Sequence, residues 1–260
     1  MEKTPTEWNP LLYLKFSSER AQPSLDLVSR IDLEYPHRIL DVGCGPGNST
    51  QILVARWPGA RITGIDSSKA MIAQAQSVYP HGDWRVADAG TFHSREMFDI
   101  IFANAVIHWI PDHEALLKHL LGLTNQNGCL AVQMPLTSEM KIAELIESAF
   151  KSAGGNRGFD INRHIHTHSV EFYMNVLGAL PGRFDAWTTT YFHRMDSAGE
   201  IYSMMSSTRM RPYLDQLRNE RQQEEFKRML TDAIDSTYTR LDNGKIIFPF
   251  KRFFLLVHKD

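Results

Sequence analysis

From residue 37 to 135, short apolar runs alternate with segments whose apolar positions recur at helical spacing. That is the pattern of a parallel sheet flanked by helices. The runs predict strands at Arg38–Val42, Ala60–Ile65, Asp83–Val86, Phe98–Ala103 and Gly128–Met134, with helices at Asn48–Trp57, Lys69–Val78 and Asp112–Leu123 between them. Pro58-Gly59 and Pro80-His81-Gly82 stop the first two helices, and Asn127-Gly128 turns the chain into the fifth strand.

Beyond residue 135 the pattern is less regular. A helix is expected over Lys141–Ser152, then the loop Gly154–Gly158, a helix near Ser169–Leu177 and an extended run over Phe184–Phe192. Helices over Ser197–Ser206 and Pro212–Tyr238 follow, and Asp242-Asn243-Gly244 turns into a last strand at Ile246–Val257. The polar helical stretches read as insertions capping the carboxyl edge of the sheet, where open α/β sheets bind ligands.

Composition narrows the class. The chain has 260 residues, 43% hydrophobic and 22% charged, with a formal net charge of −2. One large α/β domain with insertions fits better than two independent ones. The near-neutral charge argues against a nucleic-acid binder, which needs a basic face. Cys44 and Cys129 lie far apart in apolar segments and read as reduced, buried residues. No segment predicts a signal peptide or a membrane span, so a cytoplasmic protein is expected. His164, His166 and His168 alternate without an acid or cysteine to complete a ligand set, so no metal is expected.

The sharpest feature is Ile39-Leu40-Asp41-Val42-Gly43-Cys44-Gly45-Pro46-Gly47-Asn48-Ser49-Thr50: a strand, a glycine turn and a helix start with cap-type residues. Asn48 stands where the third glycine of a dinucleotide fingerprint would be, and no lysine follows as in a phosphate-cradling loop. Asp41 would repel a pyrophosphate but suits an ammonium group. Asp66, with Ser67 beside it, ends the second strand and can accept both hydroxyls of a ribose. Asp88, before Ala89, follows the third strand, placed for an exocyclic adenine amine. Singly each acid reads as a helix cap or a solvated loop residue. Together they describe a pocket for a nucleoside carrying an amino acid, with Asn104 after the fourth strand near its amino-acid part.

These motifs resemble the cofactor motifs of class I S-adenosylmethionine-dependent methyltransferases. A closer resemblance, to bacterial trans-aconitate 2-methyltransferases, runs almost end to end. It is carried by Trp8-Asn9-Pro10, Tyr13-Leu14, Glu19-Arg20, Arg61–Ser68, Ile101–Ala105, Ala131–Pro135, Thr189-Thr190-Tyr191, His193 and Arg211-Pro212. Two stretches depart: His108 stands where that family has glutamine, and Arg157–Thr167 does not match. The resemblance implies a Rossmann-like sheet, mostly parallel with an antiparallel last strand, plus helical caps. It also implies three regions: a helical lid at 1–36, an S-adenosylmethionine-binding core at 37–135, and sheet plus substrate cap at 136–260, with insertions at about 138–165 and 196–242. The implied cofactor is S-adenosyl-L-methionine, bound by Asp41, Gly43, Gly45, Gly47, Asp66, Ser67, Asp88, Ala89 and Asn104.

The implied reaction is methyl esterification of a small polycarboxylic acid, with trans-aconitate the leading substrate, by a monomer or homodimer. A carboxylate is already ionised at neutral pH and needs no general base, so alignment is the main requirement. Tyr13, His108 and Trp109 are the candidates for it, although Trp109 equally fits the core. Arginine suits the remaining carboxylates best. The candidates are Arg20, Arg209, Arg211 and Arg252, with Lys251 behind them and Tyr191 and His193 as hydrogen-bond donors. The segment carrying Trp8, Tyr13 and Phe16 reads either as a lid or as an amphipathic helix packed on the domain. Two alternatives stay open: another small acid or thioester-linked carboxylate, and a non-catalytic S-adenosylmethionine-binding protein.

Overall fold

A computed structural model describes residues 17–260, with side chains from residue 21 onward. Tyr13, Trp8 and Phe16 lie outside the described residues. So does the side chain of Arg20, whose backbone belongs to α1 (Ser17–Ser29).

The expected alternation folds as a seven-stranded sheet in the order β3-β2-β1-β4-β5-β7-β6. Its strands are β1 (Arg38–Val42), β2 (Arg61–Asp66), β3 (Asp83–Val86), β4 (Phe98–Asn104), β5 (Thr124–Pro135), β6 (Arg183–Met195) and β7 (Ile246–His258). β3, β2, β1, β4 and β5 are parallel neighbours. β7 runs against β5: Lys259 N donates to Gly128 O near one end and Leu136 N to Lys251 O near the other. The fold is the mostly parallel sheet with an antiparallel last strand that the sequence resemblance implied.

Helices α2 (Asn48–Arg56), α3 (Lys69–Val78) and α4 (His113–Gly122) lie between these parallel strands. The central strands are buried on both faces, with Ile39, Leu40, Ile100, Ile101 and Leu130 fully enclosed, as near-continuous apolar runs require in a doubly covered sheet. Ser68 begins α3 by accepting from Met71 N, and Asp112 begins α4 by accepting from Ala115 N, each satisfying a free helix-end donor.

The later helices are α5 (Lys141–Ser152), α6 (Val170–Gly178), α7 (Ala198–Ser206), α8 (Arg211–Gln216) and α9 (Glu220–Thr237). The single helix expected over Pro212–Tyr238 is two helices. Asn219 leaves helical geometry and its side chain accepts from Gln222 N, starting α9 afresh. β5 also begins at Thr124, four residues before the start expected at Gly128. Its register shifts against β4 between Phe98 and Ile100, where the chain absorbs Asn127 at φ 61°.

Two compact units divide the described chain. The sheet unit holds residues 17–135, His166–Thr188 and Phe253–Asp260. Within it Trp187 stacks on Phe254 and Tyr173 packs against Phe253. The helical unit holds Leu136–Ile165 and Thr189–Arg252. Its centre is aromatic, with Phe150 against Phe159, Tyr213 and Phe226. Among the described residues, no helix is long and apolar enough to cross a membrane.

Candidate functional site

The glycine loop leaves β1 and folds back onto the end of β2. Gly43 N and Cys44 N both donate to Ile65 O, at 2.8 and 3.0 Å. Gly43, Gly45 and Gly47 all have positive φ, at 67°, 55° and 96°. Gly43 needs that freedom for a second reason, since a Cβ there would lie 2.3 Å from Val106 Cγ2. At Gly45 the opposite holds. A Cβ would meet nothing within 4 Å, so the backbone there borders open space that a ligand can approach.

Asp41 is fully buried. Its Oδ2 accepts from Ser49 Oγ at 2.8 Å and Thr50 Oγ1 at 2.6 Å, while Oδ1 is buried without a hydrogen-bond partner. Burial pushes its carboxyl up to about 7; the Thr50 and Ser49 hydroxyls oppose the rise and Asp66 adds to it. The structure thus gives Ser49 and Thr50 a different task from the capping read in the sequence. Gly47 is the N-cap of α2 and makes no side-chain cap bond. The hydroxyls hold Asp41 instead, a role betrayed in the sequence only by two hydroxyl residues in the first turn after Gly47.

Asp66 ends β2 and is tied to the loop: Oδ2 accepts from Gly45 N at 3.0 Å and Oδ1 from Ser68 N at 2.8 Å. Burial raises its pKa, with the Ser68 and Gly45 N–H groups opposing. Each oxygen keeps a second lone pair for a further donor. Ser67 follows Asp66 on the same edge. Asp88 is exposed beyond β3, its Oδ1 accepting from Gly90 N at 2.9 Å, with Ala89 buried beside it. Asn104 ends β4 in register with Gln133, and its Oδ1 is buried without a partner. Asp41, Gly43, Gly45, Gly47, Asp66, Ser67, Asp88, Ala89 and Asn104 therefore all stand at or just past the carboxyl ends of β1 to β4, within the sheet unit.

His108 and Trp109 occupy a short 3-10 turn, Ile107–Trp109, just after β4. His108 is buried, its ring 4.9 Å from that of Trp109, and its carbonyl accepts from His166 N at 2.8 Å. His168 stacks on Phe172 and meets His113 edge-on. His113 is fully buried with Nδ1 2.6 Å from Tyr173 Oη. Burial drives the His113 pKa down to about 4, helped by His168, so the ring is neutral at neutral pH. Among the described residues, no three His, Cys, Asp or Glu side chains group as metal ligands.

The cationic candidates Arg209, Arg211, Lys251 and Arg252 belong to the helical unit, whereas Arg20 falls in the sheet unit. Arg209 and Arg252 are 7% and 5% exposed. Arg252 lies over the Phe250 ring at 4.4 Å. Arg211 opens α8 ahead of Pro212 and is half-buried; burial lowers its pKa, with Asp215 opposing. Tyr191 and His193 alternate along β6 with rings stacked 6.4 Å apart, and His193 also meets Phe250. Lys251 is engaged otherwise, its Nζ donating to Glu139 Oε2 at 2.6 Å.

The arrangement in the sheet unit fits S-adenosylmethionine. Orphaned oxygens on Asp41 and Asn104 suit an ammonium donor, Asp66 suits a diol, and Gly45 leaves room for the ligand backbone. A methyltransferase-domain family model matches residues 13–179. Trans-aconitate 2-methyltransferases of Escherichia coli K12 and Shigella flexneri are each 39% identical over 255 residues, covering 98% of this chain and 99% of theirs. The fold is also shared with solved structures of low identity. Bacillus subtilis YcgJ has a TM-score of 0.63 at 15% identity, covering 92% of this chain and 99% of that one. Haemonchus contortus phosphoethanolamine N-methyltransferase 2, solved with S-adenosyl-L-methionine, has a TM-score of 0.59 at 14% identity, covering 96% and 57%. With the strand order, the acid-flanked glycine loop and near full-length identity together, this chain belongs to the trans-aconitate 2-methyltransferase family of S-adenosylmethionine-dependent methyltransferases.

Proposed function

We propose that the protein methylates one carboxylate of trans-aconitate, giving a monomethyl ester. The observation that carries this reading is the extent of the 39% identity. It spans 98% of the chain and so includes Thr189–Arg252, where Tyr191, His193, Arg211 and Arg252 stand.

When bound, S-adenosylmethionine supplies a methyl group made electrophilic by the adjoining sulfonium. Everything else falls to the chain. Asp41 and Asn104 bind the ammonium end, Asp66 the ribose hydroxyls and Asp88 the adenine amine. Gly43, Gly45 and Gly47 let the backbone approach closely, while Ser67 and Ala89 border the nucleoside. The attacking carboxylate is ionised at neutral pH, so no residue has to remove a proton. His108 and Trp109 line its approach and exclude water, which leaves alignment as the main source of rate. Arg211 and Arg252, with Arg20, Tyr191 and His193, hold the carboxylates that do not react, as guanidinium and hydrogen-bond donors do well. Tyr13 contributes to alignment.

The test is transfer of tritiated methyl from S-adenosylmethionine to a panel of organic acids. Trans-aconitate should be the preferred acceptor, by at least about tenfold in kcat/KM, a gap of about 1.4 kcal/mol. Transfer to none of the acids, or preference for a thioester-linked acid, would overturn the reading.

A further inference from the structure

Arg209 is 7% exposed, sits in the turn between α7 and α8, and has no carboxylate within ion-pair reach among the described residues. Buried guanidinium groups are ordinarily paired, because removing the charge from water is costly unless a partner repays it. Here one nitrogen is satisfied: Nη1 donates to Thr137 Oγ1 at 2.6 Å. Nε is buried with no acceptor, and Nη2 meets none among the described residues.

These two nitrogens form one edge of the guanidinium. The same edge grips a carboxylate elsewhere in this molecule, where Arg85 Nε and Nη2 bind the two oxygens of Asp83 at 3.0 and 2.8 Å. At Arg209 Thr137 fixes the opposite corner and leaves the bidentate edge available. Tyr213 stands close enough for its phenol to feel the charge, is 2% exposed, and has no hydrogen-bond partner for its hydroxyl among the described residues. Phe150 and Phe159 hold its ring at centroid distances of 5.1 and 5.0 Å. Glu147, the acid whose charge acts on Arg209, is half-exposed and already bonded to Lys151. A buried cation held rigid by a hydroxyl, with its carboxylate-binding edge unfilled, is arranged for a ligand rather than for stability.

We propose that Arg209, held by Thr137 and flanked by Tyr213, binds a carboxylate of the substrate that is not methylated, and so sets specificity for polycarboxylic over monocarboxylic acids. The proposal rests on the polycarboxylate reading above and picks Arg209 out of the arginines that the sequence offered alike. Its planar fork offers two donors to the two oxygens of a carboxylate, which a monoacid anchored by its reacting carboxylate would leave empty.

The test uses the purified full chain and the variants Arg209→Gln, Arg209→Lys and Thr137→Val. Trans-aconitate binding is measured by calorimetry in the presence of S-adenosylhomocysteine, and turnover by steady-state kinetics. Arg209→Gln should raise the Kd and KM for trans-aconitate by about 100-fold, the scale for losing a buried bidentate charge contact, with cofactor Kd within about twofold of wild type. Arg209→Lys should recover part of the loss and Thr137→Val cause a smaller one. The melting temperature of Arg209→Gln should not fall, because the change removes a buried unpaired charge. A structural role would do the reverse, lowering the melting temperature with little change in KM, and would overturn the proposal. If wild type binds trans-aconitate through Arg209 but transfers no methyl, the substrate reading falls and the subsite stands. If wild type turns it over and Arg209→Gln is unchanged, the subsite falls and the substrate reading stands. No binding of trans-aconitate by wild type removes both.

Discussion

Asp66 accepts the Gly45 backbone N–H at 3.0 Å, so the carboxylate proposed for the ribose hydroxyls also shapes the glycine loop. Its other oxygen accepts from Ser68 N at 2.8 Å at the start of α3. Asp66→Ala should therefore loosen the loop and remove the diol acceptor together. The expected loss in S-adenosylhomocysteine affinity is at least about 30-fold, on the scale of about 2 kcal/mol for a charge-assisted hydrogen bond. Isothermal calorimetry checks it, and an unchanged Kd would remove Asp66 from the site.

Gly43 and Gly45 make a paired test, since both have positive φ but only one has room. Gly43→Ala drives a methyl into Val106 and should destabilise the fold, by about 2–4 kcal/mol when strain and overpacking combine. Gly45→Ala meets no protein atom, so it should cost only about 1 kcal/mol in stability. Its methyl fills the space proposed for the cofactor, and cofactor affinity should fall sharply. Melting curves and calorimetry on both variants separate the two effects.

Asp41 makes stability depend on pH in a sense unusual for an acid. Its folded pKa of about 7 lies above the ordinary 3.8, so between those values the folded chain keeps a proton that the unfolded chain releases. The stability contributed by the protonated form is complete below about pH 4 and is lost as pH rises toward 7. Against Asp41→Asn, the unliganded wild type should lose on the order of 4 kcal/mol across that window. Urea melts of both proteins at several pH values provide the check; parallel curves would contradict it.

Tyr173 Oη lies 2.6 Å from His113 Nδ1 with both residues fully buried. Tyr173→Phe leaves that ring nitrogen unpaired in the core. A loss of about 1–3 kcal/mol is expected, read from the urea midpoint, with cofactor affinity unchanged.

Arg211 is half-buried at the start of α8. Arg211→Ala should raise the KM for trans-aconitate by about tenfold or more while leaving the Kd for S-adenosylhomocysteine unaltered. Normal turnover in that variant would take Arg211 out of the substrate clamp.

Much of this was legible along the chain because it rests on local rules. Apolar runs of four to seven residues separated by helical spacing and Pro-Gly stops can pack only as a covered parallel sheet, so β1 to β4 and the helices α2 to α4 follow from residues 37 to 123. The glycine loop and the three acids after successive strands were equally readable, since strand ends and positive φ are properties of neighbours in sequence. Tertiary structure decided what depends on distant partners. Burial, not residue type, lifts Asp41 to about 7, and the hydroxyls of Ser49 and Thr50 turn to it instead of capping α2. The helix expected over Pro212–Tyr238 broke at Asn219, whose side chain competes for the backbone N–H of Gln222. Among the four arginines and one lysine that looked alike in the sequence, Lys251 found Glu139 while Arg209 found only Thr137 among the described residues. A charge's environment is set by what folding brings beside it, and that is written nowhere in its own neighbourhood of the chain.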